Sequence, residues 1–433
     1  PGRDLTELSR AVRALDPTAV LTLDEEGGDV TRLHSHEGSP HPGNAALGAY
    51  DDVEATRVVA AGIGAELARA GVWLNLAPSA DINSDPLNPV IGPRSFGVDP
   101  ALVARHTKAY VAGLASQGVA ASVKHFPGHG DTNTDSHLAL PHVSASLEVL
   151  RARELVPFAA VLDAASIMTS HVVLEAFDPD EPATLSAAVL TGLLRDELGY
   201  DGVIVSDALD MAGASARRGI SAAAVLSLAS GADLLCLGPE HAATPKTLEA
   251  AVDAVCAAVE SGELPLERLS DAAHRVATLR QAWSALVERP DADEVIAEAR
   301  HRSVEIATAL TAAAPRFNGP ATVVHIDIGT NPAVGVTPWG RLDLGGDTID
   351  LIASDLATTP SIGGELAIVV RRATAQPEVW AWIQRQLADN PSAVLVEMGW
   401  PDPALDAYDR VIRTLGCAAV LADALGAAMT GAR

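Results

Sequence analysis

Between positions 124 and 137 the chain reads Lys124-His125-Phe126-Pro127-Gly128-His129-Gly130-Asp131-Thr132-Asn133-Thr134-Asp135-Ser136-His137, its densest run of ionisable and small polar side chains. Residues two apart on extended backbone face the same way, so Asp135 can lie beside His137. A carboxylate there fixes the imidazole's tautomer and favours its protonated form, as a general acid requires. Two other readings stand beside this one. The groups can stitch a polar loop together, or His125, His129, Asp131, Asp135 and His137 can hold zinc or iron, although no HExxH or paired-Cys spacing accompanies them.

Asp207 is the second candidate, following the apolar run Gly202-Val203-Ile204-Val205 and Ser206, with Asp210 and Met211 just beyond. A strand-end Asp can simply cap the next helix. Opposite a His acid, however, a carboxylate completes the minimum equipment for displacing a group from an acetal carbon: one attacks carbon, the other protonates the leaving oxygen. Asp24-Glu25-Glu26-Gly27-Gly28, followed by Arg32, is a third cluster. Crowded carboxylates accept hydrogen bonds from vicinal hydroxyls while Arg or Lys donates back, which suits a sugar; a salt-bridged helix start is the plainer alternative. Arg94 lies in the Gly/Pro-shaped stretch 88–97, as a ligand clamp or a structural ion pair. Lys124 is one of three lysines, with Lys108 and Lys246, in a chain that otherwise uses Arg. That choice hints at a role Arg cannot fill.

Elements that would position these groups follow from the pattern. Short β-branched runs at 19–24, 72–81, 121–126, 166–172, 202–208 and 232–238 alternate with Ala/Leu/Arg-rich helical stretches. Most end in Asp, His or Lys, the arrangement of a (β/α)8 TIM-type barrel, whose chemistry sits at the C-terminal ends of its strands. Six runs are fewer than eight, which suggests irregular strands or one lying upstream of residue 1. Helical patterns at 246–260, 266–288 and 291–313 follow, and 311–320 reads as a linker. Beyond it, strand patterns at 321–329, 365–373, 392–400 and 417–423 alternate with helical patterns at 377–389 and 403–416, a smaller α/β sandwich domain. The boundaries expected are a barrel at 1–290, a helical connection at 291–320 and the C-terminal domain at 321–433. No GxGxxG or P-loop follows a strand in the last.

Length and composition agree with this plan. The chain has 433 residues, enough for two domains, and its AVILMFWYC fraction of 48% includes only 3% aromatic residues, so the core must be built from Ala, Val, Leu and Ile. A formal charge of -26 repels phosphate backbones and anionic membranes, which argues against nucleic-acid partners. No apolar run approaches the ~18–20 residues of a membrane span. The opening residues lack a secretory pattern, and Cys236, Cys256 and Cys417 form neither an even set nor a metal-like spacing. The expected setting is reducing and cytoplasmic, with secretion the alternative if the natural N-terminus lies upstream.

Taken together, the segments at 24–33, 75–83, 88–97, 124–141, 167–172, 182–211 and 231–238 resemble glycoside hydrolase family 3, specifically its β-N-acetylglucosaminidase branch. The long KHFPGHGDT…DSH loop marks that branch. The resemblance implies that Asp207 is the nucleophile and His137 the acid/base, with Asp135 its partner. It also implies that Asp24, Arg32, Arg94, Lys124 and His125 hold the sugar, with no metal or organic cofactor. The activity implied is that of a retaining exo-β-N-acetylglucosaminidase acting on cell-wall or chitin-derived fragments. A His acid/base also leaves room for phosphate as acceptor, because a neutral imidazole does not repel a dianion. A metal-dependent barrel hydrolase and a sugar-binding protein without catalysis are the remaining alternatives. Two departures from the pattern stand out. Gln and Arg of the usual Asp-Gln-Glu-Gly-Gly-Arg are replaced by Glu25 and Asp29, and a first strand of the GVILF type is expected to lie before residue 1.

Overall fold

The computed structural model describes residues 5–132, 134, 136, 139–238, 244–284, 292–329 and 340–431. Among these, the parallel strands Thr22–Leu23, Leu74–Asn75, Ala120–Phe126, Ser166–Thr169 and Val203–Val205 stand side by side in chain order. A parallel bridge from Val205 to Leu234 adds a sixth position. All six expected runs therefore contribute to the barrel wall, most over fewer residues than their patterns span. Their two-residue period sorts the side chains. Val123, Ile167 and Ile204 pack outward with Phe158, Leu190 and Leu193 of the surrounding helices. Met168, Val203 and Val205 point the other way, joining Leu76, Leu234 and Leu279.

Local signals set the helices between the strands. Asp52 caps Val53–Ala70 by accepting from the amides of Glu54 and Ala55, and Gly71 closes it with a left-handed residue. Asp99 caps Pro100–Ser116, with Pro100 in the first turn, where its missing N–H costs nothing. The two helices share a core of Val59, Ile63, Leu67, Tyr110 and Leu114. Within 291–320, read from sequence as a helical connection, the helix Ala292–Thr311 packs on both Val53–Ala70 and the C-terminal helix Ala419–Thr430, burying Ile296, Ala299, Ile306 and Ala307. It is thus wedged between the barrel and the C-terminal domain.

The second sheet is also parallel, in the order Val411–Arg413, Ala393–Glu397, Leu366–Val370, Ala321–Asp327, Gly345–Ile352. Pro377–Asp389 covers one face through Val379, Trp382 and Ile383, and Ala419–Thr430 the other through Ala422, Leu425 and Met429. The structure corrects two sequence expectations in this domain and adds one strand. The run 417–423, expected as a strand, instead leads into a helix, because its Ala and Leu residues bury Leu421, Ala422, Leu425 and Met429 at helical spacing. The stretch 403–416, expected as a helix, holds a short 3-10 turn at Pro403–Ala407 and the three-residue edge strand Val411–Arg413. Gly345–Ile352 was not foreseen as a strand; it is an edge strand, mostly exposed and interrupted by Gly and Asp.

The C-terminal domain sits on the barrel's mouth. Arg371, just after Leu366–Val370, pairs with Asp29 at 2.9 Å, and the Cys417 amide donates to the same carboxylate at 2.8 Å. The Arg372 guanidinium reaches the Leu87 carbonyl at 3.5 Å, and the Val420 amide donates to the Ser39 carbonyl. These contacts fall on the two loops that follow the first two barrel strands.

Candidate active site

Four of the predicted binding residues meet in one network at the C-terminal ends of the first three strands. Lys124 Nζ lies 2.7 Å from Asp24 Oδ1 and 2.8 Å from Glu26 Oε1. Arg94 grips Glu26 with two hydrogen bonds, of 3.0 and 2.8 Å. Its guanidinium also approaches His125 Nε2 at 3.3 Å. A guanidinium only donates, so Nε2 accepts, and the ring proton on Nδ1 points at Asp81 Oδ2, 2.6 Å away. Asp81 in turn receives the His129 amide at 2.7 Å and the Ser79 hydroxyl at 3.0 Å.

Burial decides how strongly these charges act. The side chains of Lys124, Arg94 and Glu26 are 3%, 5% and 2% exposed, whereas Asp24 is 38% exposed and open to a ligand. Burial opposes the charge of Glu26, but Arg94 and then Lys124 outweigh it and hold the carboxyl well below the usual range. Asp81 is likewise penalised by burial, yet His125 and the His129 amide keep it at about 2. Burial works against the Lys124 ammonium too; Asp24 and Glu26 more than compensate, and its pKa rises. The result is a cradle in which buried Arg94, Glu26 and Lys124 offset one another's charge, with Asp24 at its open end.

Two glycines let the loops close around it. At Gly28, with φ of 61°, a Cβ would fall 2.4 Å from the Gly43 Cα, and at Gly130 it would fall 1.7 Å from the Ile82 carbonyl. Glu25 is buried and binds the amides of Arg32 and Leu33, at 2.7 and 2.9 Å, which fixes the half-buried Arg32 on the same loop through its backbone. No helix starts at the Asp24 cluster; the next begins at Asn44. Arg94 is a buried ion pair and, through His125, part of the cradle.

Asp207 stands half-buried at the end of Val203–Val205. Its amide donates to Thr169 Oγ1 at 3.2 Å and its Oδ1 accepts the Ala208 amide at 2.7 Å, while the next helix, Ala212–Ser215, has Met211 at its N-cap. His171 Nε2 donates to the Ala208 carbonyl at 2.9 Å, which steadies the same turn from the neighbouring strand. Asp24 follows Thr22–Leu23 and Asp207 follows Val203–Val205, parallel strands of one sheet, so both stand at the same end of the barrel. Burial pushes the Cys236 thiol up to about 11, with Asp207 and, more weakly, Asp24 adding to the rise. His129 also feels Asp207, although burial and His125 dominate and lower its pKa to about 4.

Asp135 and His137 lie outside the described residues. Around them, Ser136 Oγ is 2.9 Å from His129 Nε2, and its carbonyl accepts the Gly213 amide at 3.2 Å, which ties the loop to the helix following Asp207. Arg153 bridges Asp131 and Glu154, each at 2.5 Å. Burial raises the Glu154 carboxyl to about 7, against the pull of Arg153. Sequence reasoning singled out Asp24 from its cluster and passed over Glu26 and Asp81. Both are strand-end acids, and that position was the available signal. Asp29, where the resemblance implied an Arg, pairs instead with Arg371 of the C-terminal domain.

Comparison with known proteins bears on this geometry. The model for the glycosyl hydrolase family 3 N-terminal domain matches residues 3–279. A β-hexosaminidase A from Pseudoalteromonas piscicida is 36% identical over 316 residues, which cover 67% of this chain but only 52% of that protein. The β-hexosaminidase LpqI of Mycobacterium tuberculosis is 36% identical over 272 residues, covering 61% of this chain and 68% of its own. The solved structure of a glycoside hydrolase family 3 β-N-acetylglucosaminidase from Paenibacillus sp. FPU-7 superimposes with a TM-score of 0.82 at 32% identity, covering 99% of this chain and 88% of that one.

Proposed function

Because the chain belongs to glycoside hydrolase family 3, we propose that it is a retaining exo-β-N-acetylglucosaminidase that removes terminal N-acetylglucosamine from cell-wall or chitin-derived fragments. The branch is supported by relatives named β-hexosaminidase and β-N-acetylglucosaminidase. The observation that carries the chemistry is that Asp207 follows a strand parallel to, and in one sheet with, those whose ends carry the Asp24–Lys124–Glu26–Arg94–His125 cradle. A single sugar ring held by the cradle presents its anomeric carbon to the remaining carboxylate.

In this reading Asp24, Lys124, Arg94, Arg32 and His125 hold the terminal sugar. Asp24 accepts from its hydroxyls, and the cations donate. The Asp207 carboxylate attacks the anomeric carbon while the glycosidic C–O bond breaks, and His137, held by Asp135, gives its proton to the departing oxygen. The glycosyl ester on Asp207 is then attacked by a water whose proton returns to His137. Two inversions at one carbon give overall retention. Using His in place of the second carboxylate departs from the usual glycosidase pair.

The test is turnover of an aryl N-acetylglucosaminide. The wild-type protein should release the aryl group, and Asp207→Ala should lower kcat/KM on the order of 10³-fold or more, the scale seen when a covalent nucleophile is removed. Near-wild-type turnover by that variant would remove Asp207 from the mechanism.

A further inference from the structure

Two buried side chains that the chemistry leaves unused, those of His129 and Ser136, meet beside the catalytic mouth. We propose that His129 is a positioning residue for the acid/base, acting through its hydrogen bond to Ser136, the residue that separates Asp135 from His137 in the chain. The assignment rests on the function proposed above and adds a residue to that same site.

His129 is itself fixed from several sides. Its amide donates to Asp81 Oδ1 at 2.7 Å, and its carbonyl accepts from Asn88 Nδ2 at 2.9 Å. The neighbouring Gly130 packs its backbone on the Ile82 carbonyl, where a Cβ would not fit, and its own carbonyl accepts the Asp85 amide at 3.2 Å. Asp131 pairs with Arg153, which also holds Glu154. The buried imidazole has a hydroxyl at each nitrogen: Thr132 Oγ1 is 3.0 Å from Nδ1, and Ser136 Oγ is 2.9 Å from Nε2. A hydroxyl donates or accepts as required, so a neutral ring, with one N–H and one lone pair, satisfies both. Burial and then His125 lower the His129 pKa to about 4, which keeps the ring neutral at pH 7. An uncharged tie sets position without adding a cation near His137, whose proton affinity such a charge would reduce.

Ser136 is where the tie takes hold. It is buried, its Oγ meets His129, and its carbonyl accepts the Gly213 amide at 3.2 Å from the helix Ala212–Ser215. One residue is thus fastened both to the loop that follows Lys124 and His125 and to the helix that follows Asp207. A serine oxygen stands one torsion from the main chain, so the bond fixes backbone rather than a long side chain. Asp135 and His137 are bonded directly to that anchored backbone. Placement matters for them, because a general acid works only within hydrogen-bond reach of the oxygen it protonates.

The experiment compares N,N'-diacetylchitobiose, whose leaving sugar needs a proton, with dinitrophenyl N-acetyl-β-glucosaminide, whose leaving phenolate does not. Because kcat/KM reports formation of the glycosyl-enzyme, His137→Ala supplies the signature of a lost acid: a large fall for the disaccharide and a small one for the aryl glycoside. Ser136→Ala removes one hydroxyl and should give the same signature on a smaller scale. Its kcat/KM should fall about 10- to 100-fold for the disaccharide and less than about threefold for the aryl glycoside. With the aryl glycoside, kcat and KM should fall together, because water attack also uses His137 and the glycosyl-enzyme accumulates. His129→Phe, which keeps the ring's bulk without its nitrogens, should match Ser136→Ala, and the double variant should be no worse than either, as the two ends of one bond require. Should His129→Phe fail to fold, Ser136→Ala decides alone. Equal losses on the two substrates, or a disaccharide kcat/KM within about twofold of wild type, overturn this inference and leave the bond as loop packing. No turnover by the wild-type protein, or a His137→Ala variant without leaving-group dependence, overturns the function proposed above, and this inference with it.

Discussion

Replacing Glu26 with Gln removes one negative charge from between two buried cations while keeping the side chain's shape. In the wild-type protein Glu26 holds Arg94 through two hydrogen bonds and Lys124 at 2.8 Å. After the change Lys124 still has Asp24, at 2.7 Å but 38% exposed, whereas Arg94, 5% exposed, keeps the Val90 carbonyl and His125, both at 3.3 Å. Leaving a buried charge uncompensated costs ~3–5 kcal/mol. At 2–4 °C per kcal/mol for a domain of this size, the barrel's melting temperature should drop by roughly 6–20 °C. Because the Glu26 pKa is depressed, its stabilisation is fully present above the unfolded value near 4.5 and is lost as pH falls through the folded one. The whole effect should therefore appear at pH 7. Thermal unfolding followed by circular dichroism measures it, with Glu26→Asp, which keeps the charge, expected to lose less. A drop of under ~1 kcal/mol would refute the view that Glu26 is the central anion of the cradle.

Other expectations concern pH and the acceptor. Asp81 is held at about 2, so the stability it supplies should persist above ~4 and disappear as pH falls toward 2. Asp81→Asn should flatten that acid limb in denaturant titrations and lower kcat/KM by freeing His125. Glu154 has the opposite sign: with its pKa raised to about 7, the fold loses stability as pH rises from the unfolded value near 4.5 to 7 and no further above that. Glu154→Gln should shrink that decline, and a variant with the same slope as wild type would show that Glu154 does not titrate there. Product analysis of N,N'-diacetylchitobiose cleavage with and without phosphate should give free N-acetylglucosamine in both cases. Accumulation of the sugar 1-phosphate would make phosphate the acceptor.

The barrel was legible because its strands are short β-branched runs ending in polar residues, and the motif around Lys124 marked the mouth. Less legible was everything carried by distant partners. Glu26 and Arg94 are 68 residues apart, and Asp81 and His125 are 44 apart, so no local pattern announces either pair. In the C-terminal domain, Ala/Leu-rich 417–423 has no β-branched alternation to separate strand from helix, and helical burial of Leu421 and Leu425 decided it. The exposed edge strand Gly345–Ile352 has no apolar face to read. Asp29 was visible as a departure from the family's pattern, but its partner lay 342 residues away, at Arg371.

The central claim is that Asp207 bonds covalently to the sugar. Protein quenched during turnover of an activated N-acetylglucosaminide by a His137→Ala variant, in which water attack is slowed, can be digested and its peptides weighed. The peptide containing Asp207 should be heavier by one N-acetylglucosaminyl unit, and Asp207→Ala should abolish the adduct. An adduct on a different residue, or none while product of inverted configuration accumulates, would contradict the mechanism.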